Sequence, residues 1–168
     1  MTNTIDVLEL LTSQHREVDE LLERLEAGRG DRAKVFAELA DKLAAHATVE
    51  EKIFYPAAMA KDTSDQLHES VEEHLAIKRL LADMLDMDPD DEEDEFDAKL
   101  SVLKETVSHH AHEEEEDKLF PKLRKQMDRD ERAALGNEVL AMFEELMGHE
   151  PRRSVPAQTH AAAPLPSV

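Results

Sequence analysis

Residues 96–114 read FDAKLSVLKETVSHHAHEE, and the alternation of apolar and polar side chains along them decides the fold. Phe96, Leu100, Leu103 and Val107 follow steps of four and three, the spacing that places side chains on one face of an α-helix. The next places on that face belong to His110 and Glu114. Three other stretches repeat the pattern. Leu8, Leu11, Val18, Leu22 and Leu25 form a row whose vacant place is filled by His15. Phe36, Leu39, Leu43 and Ile53 leave gaps filled by His46 and Glu50, and the row Leu67, Val71, Ile77, Leu81 is interrupted by His74. Each of four helices thus sets a histidine into the stripe that it must bury.

The chain is 168 residues long with a formal net charge of −20, enough for one domain with a sizeable core. Only 4 Gly, 5 Phe and 1 Tyr occur and β-branched alternation is nearly absent, so the reading is all-α. Breaks at Gly28-Arg29-Gly30-Asp31, at Lys61-Asp62-Thr63-Ser64 and at the acidic stretch Met87 to Asp94 separate the long helices, with Asp31 and Ser64 as N-caps. Helices are predicted at roughly 4–27, 32–60, 65–86 and 94–126, with a shorter fifth at about 129–147. Leu135, Val139, Met142 and Leu146 form one stripe on that fifth helix, to fold back on the others or to make a dimer contact. The expected assembly is a monomer or weak homodimer. The bundle is expected to occupy residues 1–147. From Gly148 the sequence turns Pro- and Ala-rich without a period, and residues 148–168 read as a disordered tail.

Composition also excludes functions. Forty acidic against 20 basic residues argue against nucleic-acid binding, which needs clustered Lys and Arg. No Cys is present, which removes disulfides, thiolate metal sites and a Cys nucleophile. No apolar run approaches the ~20 residues that cross a bilayer, and MTNTIDVLELL lacks the basic start of a signal peptide, so no membrane partner and a cytoplasmic location are expected. No phosphate-cradling Gly loop, no His-Glu-x-x-His and no Glu-x-x-His occurs. The acidic loop at Asp86–Asp90 lacks the glycine and later glutamate of a calcium loop and reads as a solvated linker. The methionines at 59, 84, 87, 127, 142 and 147 read as gap-filling core or helix ends.

One buried histidine is ordinarily a core residue with a satisfied hydrogen bond. Four, one per helix, are harder to accommodate separately. Unpaired buried polar groups cost ~1–3 kcal/mol each, so four imidazoles and two carboxylates would cancel much of a typical ~5–15 kcal/mol stability. A bound cation pairs them all at once, and bundle cores are where facing helices converge on metals. Five His-x-x-x-Glu pairs occur (46/50, 68/72, 109/113, 110/114, 112/116), three of them in one acidic run. Only 46/50 and 110/114 share the phase of the core rows. His68 lies off the seam, and His109 and His112 point away from His110, which assigns them to the surface or to supporting roles. Tyr55, the only tyrosine, follows the second helix's pair by one turn, within reach of the metal's surroundings or of the packing core.

SQHREVDELL (13–22), HATVEEKIFYP (46–56), EEHLAIKRLL (72–81) and HHAHEEEEDKLFPKL (109–123) together resemble the hemerythrin-like, or HHE cation-binding, family across roughly residues 5–125. The resemblance implies an antiparallel up-down four-helix bundle around a non-haem di-iron centre, two iron ions with an oxo or hydroxo bridge. Carried over, His15, His46, His74 and His110 are terminal ligands and Glu50 and Glu114 are carboxylate bridges. Imidazole and carboxylate also suit manganese or zinc. The oxygen-carrying branch has a second histidine one turn from the one on helix 3. Ser70 and Lys78 stand at those positions here, which implies a more open coordination sphere, completed by water or by Glu73.

Helix 4 departs in a second way. Glu50 precedes Pro56 by six residues, whereas Glu114 precedes Pro121 by seven, and Glu115 is at the matching distance. Glu114 is the preferred bridge; Glu115 replaces it if a π-bulge absorbs the extra residue. The expected function is iron-dependent binding or sensing of O2, peroxide or NO, or handling of iron itself. The alternatives are a peroxide-decomposing di-iron enzyme and a metal-free interaction module switched by its histidines.

Overall fold

The Asp6 carboxylate accepts a hydrogen bond from the Leu8 amide and so opens the first helix, α1 (Val7–Glu26), by satisfying one of its free donors. Gly28, at φ 64°, turns the chain out of α1, a conformation that favours glycine. Asp31 caps α2 (Arg32–Val49) through the Lys34 amide, as the sequence suggested. α2 runs on through a π-helical turn at Glu50–Phe54 into Tyr55–Met59. α3 spans Ser64–Leu85, and its N-cap is Thr63, not Ser64. The Thr63 hydroxyl donates to the Ala58 carbonyl and ties the turn to the end of α2. α4 covers Glu93–Ser108, continues as a π-helix over His109–Leu119 and ends as α-helix at Phe120–Gln126. α5 (Arg129–Met147) is capped by Asp128.

The computed structural model describes residues 4–59 and 62–167, and no strand occurs among them. The expected end of the second helix at residue 60, and Lys61, lie outside the described residues. No helix among them is long and apolar enough to cross a membrane. α1 packs against α2 and α5, and α3 against α4, so the apolar stripes meet in one helical bundle. The stripe on α5 folds back: Val139 is fully buried, and Leu135, Met142 and Leu146 pack against the same apolar cluster. Gly136 permits that docking, because a Cβ there would sit 2.0 Å from the Ile5 carbonyl oxygen. Arg132 adds an ion pair, its Nε donating to Asp6 at 2.7 Å.

The expected disordered tail is corrected in part. Pro151–Gln158 forms a 3-10 helix against α2 and α3, with Pro151 and Val155 buried. A segment this short shows no periodicity in sequence, so composition alone misses two apolar residues that dock and an arginine that pairs with Asp41.

The core itself is divided. One cluster runs through Val18, Leu22, Phe36, Leu43, Leu81, Phe96 and Val107, and the other through Leu8, Leu11, Val49, Phe54, Val71 and Leu119. On each long helix, the histidine falls between residues of the two clusters.

Candidate metal centre

Between the two apolar halves lies a layer of buried polar side chains. Glu50 and Glu115 have no exposed surface, and His15, His46, His74 and His110 are each at most 6% exposed. Two π-helical stretches set the carboxylates. The Tyr55 amide donates to the Glu50 carbonyl and the Phe120 amide to the Glu115 carbonyl, i to i+5 bonds that enclose one residue more than an α-helical turn. In α4 this extra residue shifts the inward position from 114 to 115. The expectation of Glu114 as the second inward carboxylate is therefore corrected. Glu114 faces outward, where Lys118 Nζ donates to it at 2.7 Å and His109 Nε2 lies 3.6 Å away.

Two groups of ligand atoms result. His15, His46, Glu50 and Glu115 each offer one atom, all within 4.8 Å of one another, and Glu50, His74 and His110 do the same. Glu50 belongs to both. Its Oε1 lies 2.9 Å from His46 Nε2 and 3.4 Å from His74 Nε2, while Glu115 Oε1 lies 3.1 Å from His15 Nε2 and 3.5 Å from His110 Nε2. Of the residues singled out from sequence, five of six converge here: His15, His46, Glu50, His74 and His110. His68 is exposed, and His109 and His112 lie outside the layer, as their phase suggested.

Every histidine of the layer is held from behind. His15 Nδ1 donates to Glu116 (2.7 Å), His46 Nδ1 to Gln14 (2.6 Å), His74 Nδ1 to Glu51 (2.9 Å) and His110 Nδ1 to Glu73 (3.0 Å). With the proton on Nδ1, each Nε2 lone pair points inward, the arrangement that outer carboxylates impose on metal-binding imidazoles. Glu73 is thus not placed to complete a coordination sphere; it backs His110. Lys78, one turn from His74, donates to both oxygens of Glu51 (2.8 and 3.0 Å) and fixes that carboxylate in turn. The outer set Gln14, Glu51, Glu73 and Glu116 was not singled out as such from sequence. Their only signal is a place beside or one position off the core rows.

Among the described residues, the buried side-chain atoms without a hydrogen-bond partner include three from the ligand groups, His46 Nε2 and both oxygens of Glu50. His46 Nε2 and Glu50 Oε1 are close but not aligned for a hydrogen bond. Meanwhile His74 Nε2 and His110 Nε2 face each other at 3.1 Å, lone pair towards lone pair when both Nδ1 atoms carry protons. Buried groups left this way are costly unless a proton or cation stands between them. Nitrogen and oxygen donors in this number suit iron, manganese or zinc. The residues fit a bound cation.

Without metal, protons take that part. Burial disfavours the charged form of His15, yet hydrogen bonds to Glu115 and Glu116 outweigh it and raise its pKa to about 9. Against the same desolvation, Glu50 and Glu51 raise the pKa of His74, and Glu115 raises that of His110 well above the usual range. Burial would raise Glu50, but the positive charge on His46 holds it well below the ordinary carboxylate value. Burial and then the charge on Glu50 raise Glu115. Tyr55 closes one side, its hydroxyl donating to Glu115 Oε2 at 2.9 Å and lying 3.3 and 3.4 Å from Nε2 of His74 and His110. On the other side is a cavity of ≈ 30 Å³, walled by the histidines and by Val18, Leu43, Ala44, Ile77, Leu81 and Val107. That is room for a small molecule, against an almost wholly apolar wall.

Residues 6–123 match the hemerythrin HHE cation binding domain, a span that contains both ligand groups. The chain belongs to the hemerythrin HHE family. No curated protein and no solved structure matches it. In this HHE domain the seams that carry the histidines all fall inside the family span, whereas α5 and the 3-10 segment lie beyond residue 123. The HHE family is one of cation-binding domains, and the donor groups of the polar layer are compatible with a metal site.

Proposed function

We propose that this HHE domain holds a pair of non-haem iron ions and uses them to bind or sense a small oxidant such as O2, peroxide or NO. In this reading α1–α4 run antiparallel, up and down, and His15 and His46 serve one ion while His74 and His110 serve the other. Glu50 and Glu115 lie between the two. The observation that carries the reading is Glu50: one carboxylate common to both ligand groups, fully buried, with neither oxygen hydrogen-bonded.

Bound iron would supply a redox-active pair with a free coordination position. The chain's own residues prepare the place. Gln14, Glu51, Glu73 and Glu116 keep the four Nε2 atoms turned inward. The apolar cavity excludes bulk water and leaves space for a diatomic molecule or peroxide next to His74 and His110. The Tyr55 hydroxyl holds a proton at Glu115 Oε2, the one phenol at the centre. That proton also favours a second reading, decomposition of two peroxides to water and O2, in which a nearby acid passes protons to the peroxide that is reduced and takes them back from the one that is oxidised.

The test is metal analysis of the iron-supplemented protein together with its absorption spectrum, anaerobic and then in air. Two iron ions per chain and charge-transfer bands in air support the proposal. Fewer than about one metal per chain would overturn it, since the six buried donor residues would then be left to protons alone. Peroxide consumption that scales with iron and falls in Glu50→Ala selects the enzyme reading. A His46→Ala variant with altered pH response and unchanged metal content would point instead to the metal-free switch.

A further inference from the structure

The groove between α2 and α3 is covered by a segment outside the family span. Glu150 takes a left-handed conformation at φ 49°, uncommon for a residue with a side chain, and turns the chain back after α5. Pro151–Gln158 then packs along α2 and α3. Val155, 1% exposed, enters the same apolar cluster as Leu43, Ala44, Ile77 and Leu81. Those four side chains wall the cavity beside the polar layer. Further on, Ala162 and Leu165 pack against the other cluster, so the segment passes from one half of the core to the other across the level of the histidines.

Its polar attachments lie near the surface. The backbone amide of Arg152 donates to Asp41 Oδ1 (3.0 Å) and its Nη1 to Oδ2 (2.8 Å). Arg79 donates from Nε to the Thr159 carbonyl (3.0 Å) and from Nη2 to that of His160 (3.4 Å). A 3-10 helix has poor internal hydrogen-bond geometry, and within Pro151–Gln158 only Pro151 and Val155 are buried, so the segment can part from the bundle without unfolding it.

We propose that residues 149–160 form a hinged cover over the α2–α3 groove, and that its release admits small molecules to the cavity beside His74 and His110. Gly148 to Glu150 is the hinge. Val155 is the latch, secured by the Asp41–Arg152 pair and by Arg79. Cover closed, the wall behind Leu43, Ala44, Ile77 and Leu81 is backed by Val155. Cover open, only those side chains stand between the cavity and water.

The experiment reads access without any metal, so its outcome is independent of which cation the centre takes. Tyr55 is the only tyrosine in a chain without tryptophan, and its hydroxyl touches two histidines of the cavity wall. Quenching of its fluorescence by dissolved oxygen in the full-length, metal-free protein therefore measures entry. Val155→Ser is expected to raise the quenching constant severalfold while far-UV circular dichroism stays unchanged. The chain has no cysteine, so the double variant Asp41→Cys/Arg152→Cys provides a reversible lock. Oxidised, it should quench at or below the wild-type level; reduced with dithiothreitol, well above it. Equal quenching in the oxidised and reduced forms overturns the proposal, also in the case where Val155→Ser fails to fold. So does unchanged quenching in a folded Val155→Ser protein whose amides at 151–158 exchange freely.

Discussion

Glu114 and Glu115 are neighbours in sequence with opposite surroundings, one paired with a surface lysine and one sealed among imidazoles. Glu115→Gln should lower metal affinity by at least the ~10–100-fold that loss of an outer partner costs, and Glu114→Gln should leave it unchanged. Competition with a chelator of known affinity measures both. The four histidines were legible in sequence because each is a polar gap in an apolar row, and a gap in phase has to face inward. Glu115 was legible only as the alternative to Glu114, from its matching distance to the proline, because the choice between an α- and a π-helical turn is made by what the side chain meets across the bundle, not by its neighbours along the chain. The outer partners were illegible for a similar reason: Glu51 and Glu116 sit next to ligand candidates in sequence, and only tertiary packing sets them behind His74 and His15. The histidines also fix a pH response. The folded-state pKa of His15, about 9, lies above the ordinary ~6.5, because hydrogen bonds to Glu115 and Glu116 prevail over burial. Its contribution to stability is complete below about pH 6.5 and is lost as the pH rises through about 9. The melting temperature of chelator-treated protein should fall across that window, and His15→Gln should fall less.

Among the elements, α5 is held by a backbone approach that sequence cannot announce. Ala at 136 would suit the helix better than Gly by up to ~1 kcal/mol, but its Cβ would sit 2.0 Å from the Ile5 carbonyl oxygen. Gly136→Ala should therefore destabilise the protein by roughly 1–3 kcal/mol, as overpacking does, read as a lower denaturation midpoint at unchanged slope. The long helices themselves were plain from the steps of three and four, and the start of α2 from Asp31. The 3-10 segment was not. Two apolar residues, four and eight places beyond the end of α5, have no period to detect, and their position is supported by an aspartate and an arginine on other elements.

At the scale of the whole molecule, an excess of acidic residues leaves a net charge of −20 on a bundle whose interior is cut by a layer of ionisable groups. A cation that binds only the folded form adds stability by mass action, about 2.7 kcal/mol at a hundred times its dissociation constant. Titration with Fe²⁺, Mn²⁺ or Zn²⁺ under anaerobic conditions should raise the melting temperature in the order of their affinities, and Glu50→Ala should abolish the rise. The division of the core has a consequence of its own. Phe36 with Phe96 at one end and Phe54 with Phe120 at the other form separate nuclei of ring contacts, with the polar layer and its hydrogen bonds between them. Stripped of its cation, the bundle is two small globules on common helices, free to melt in turn. Calorimetry should then give a van't Hoff enthalpy well below the calorimetric one, and loading the ion should bring the two together, making one cooperative unit out of two.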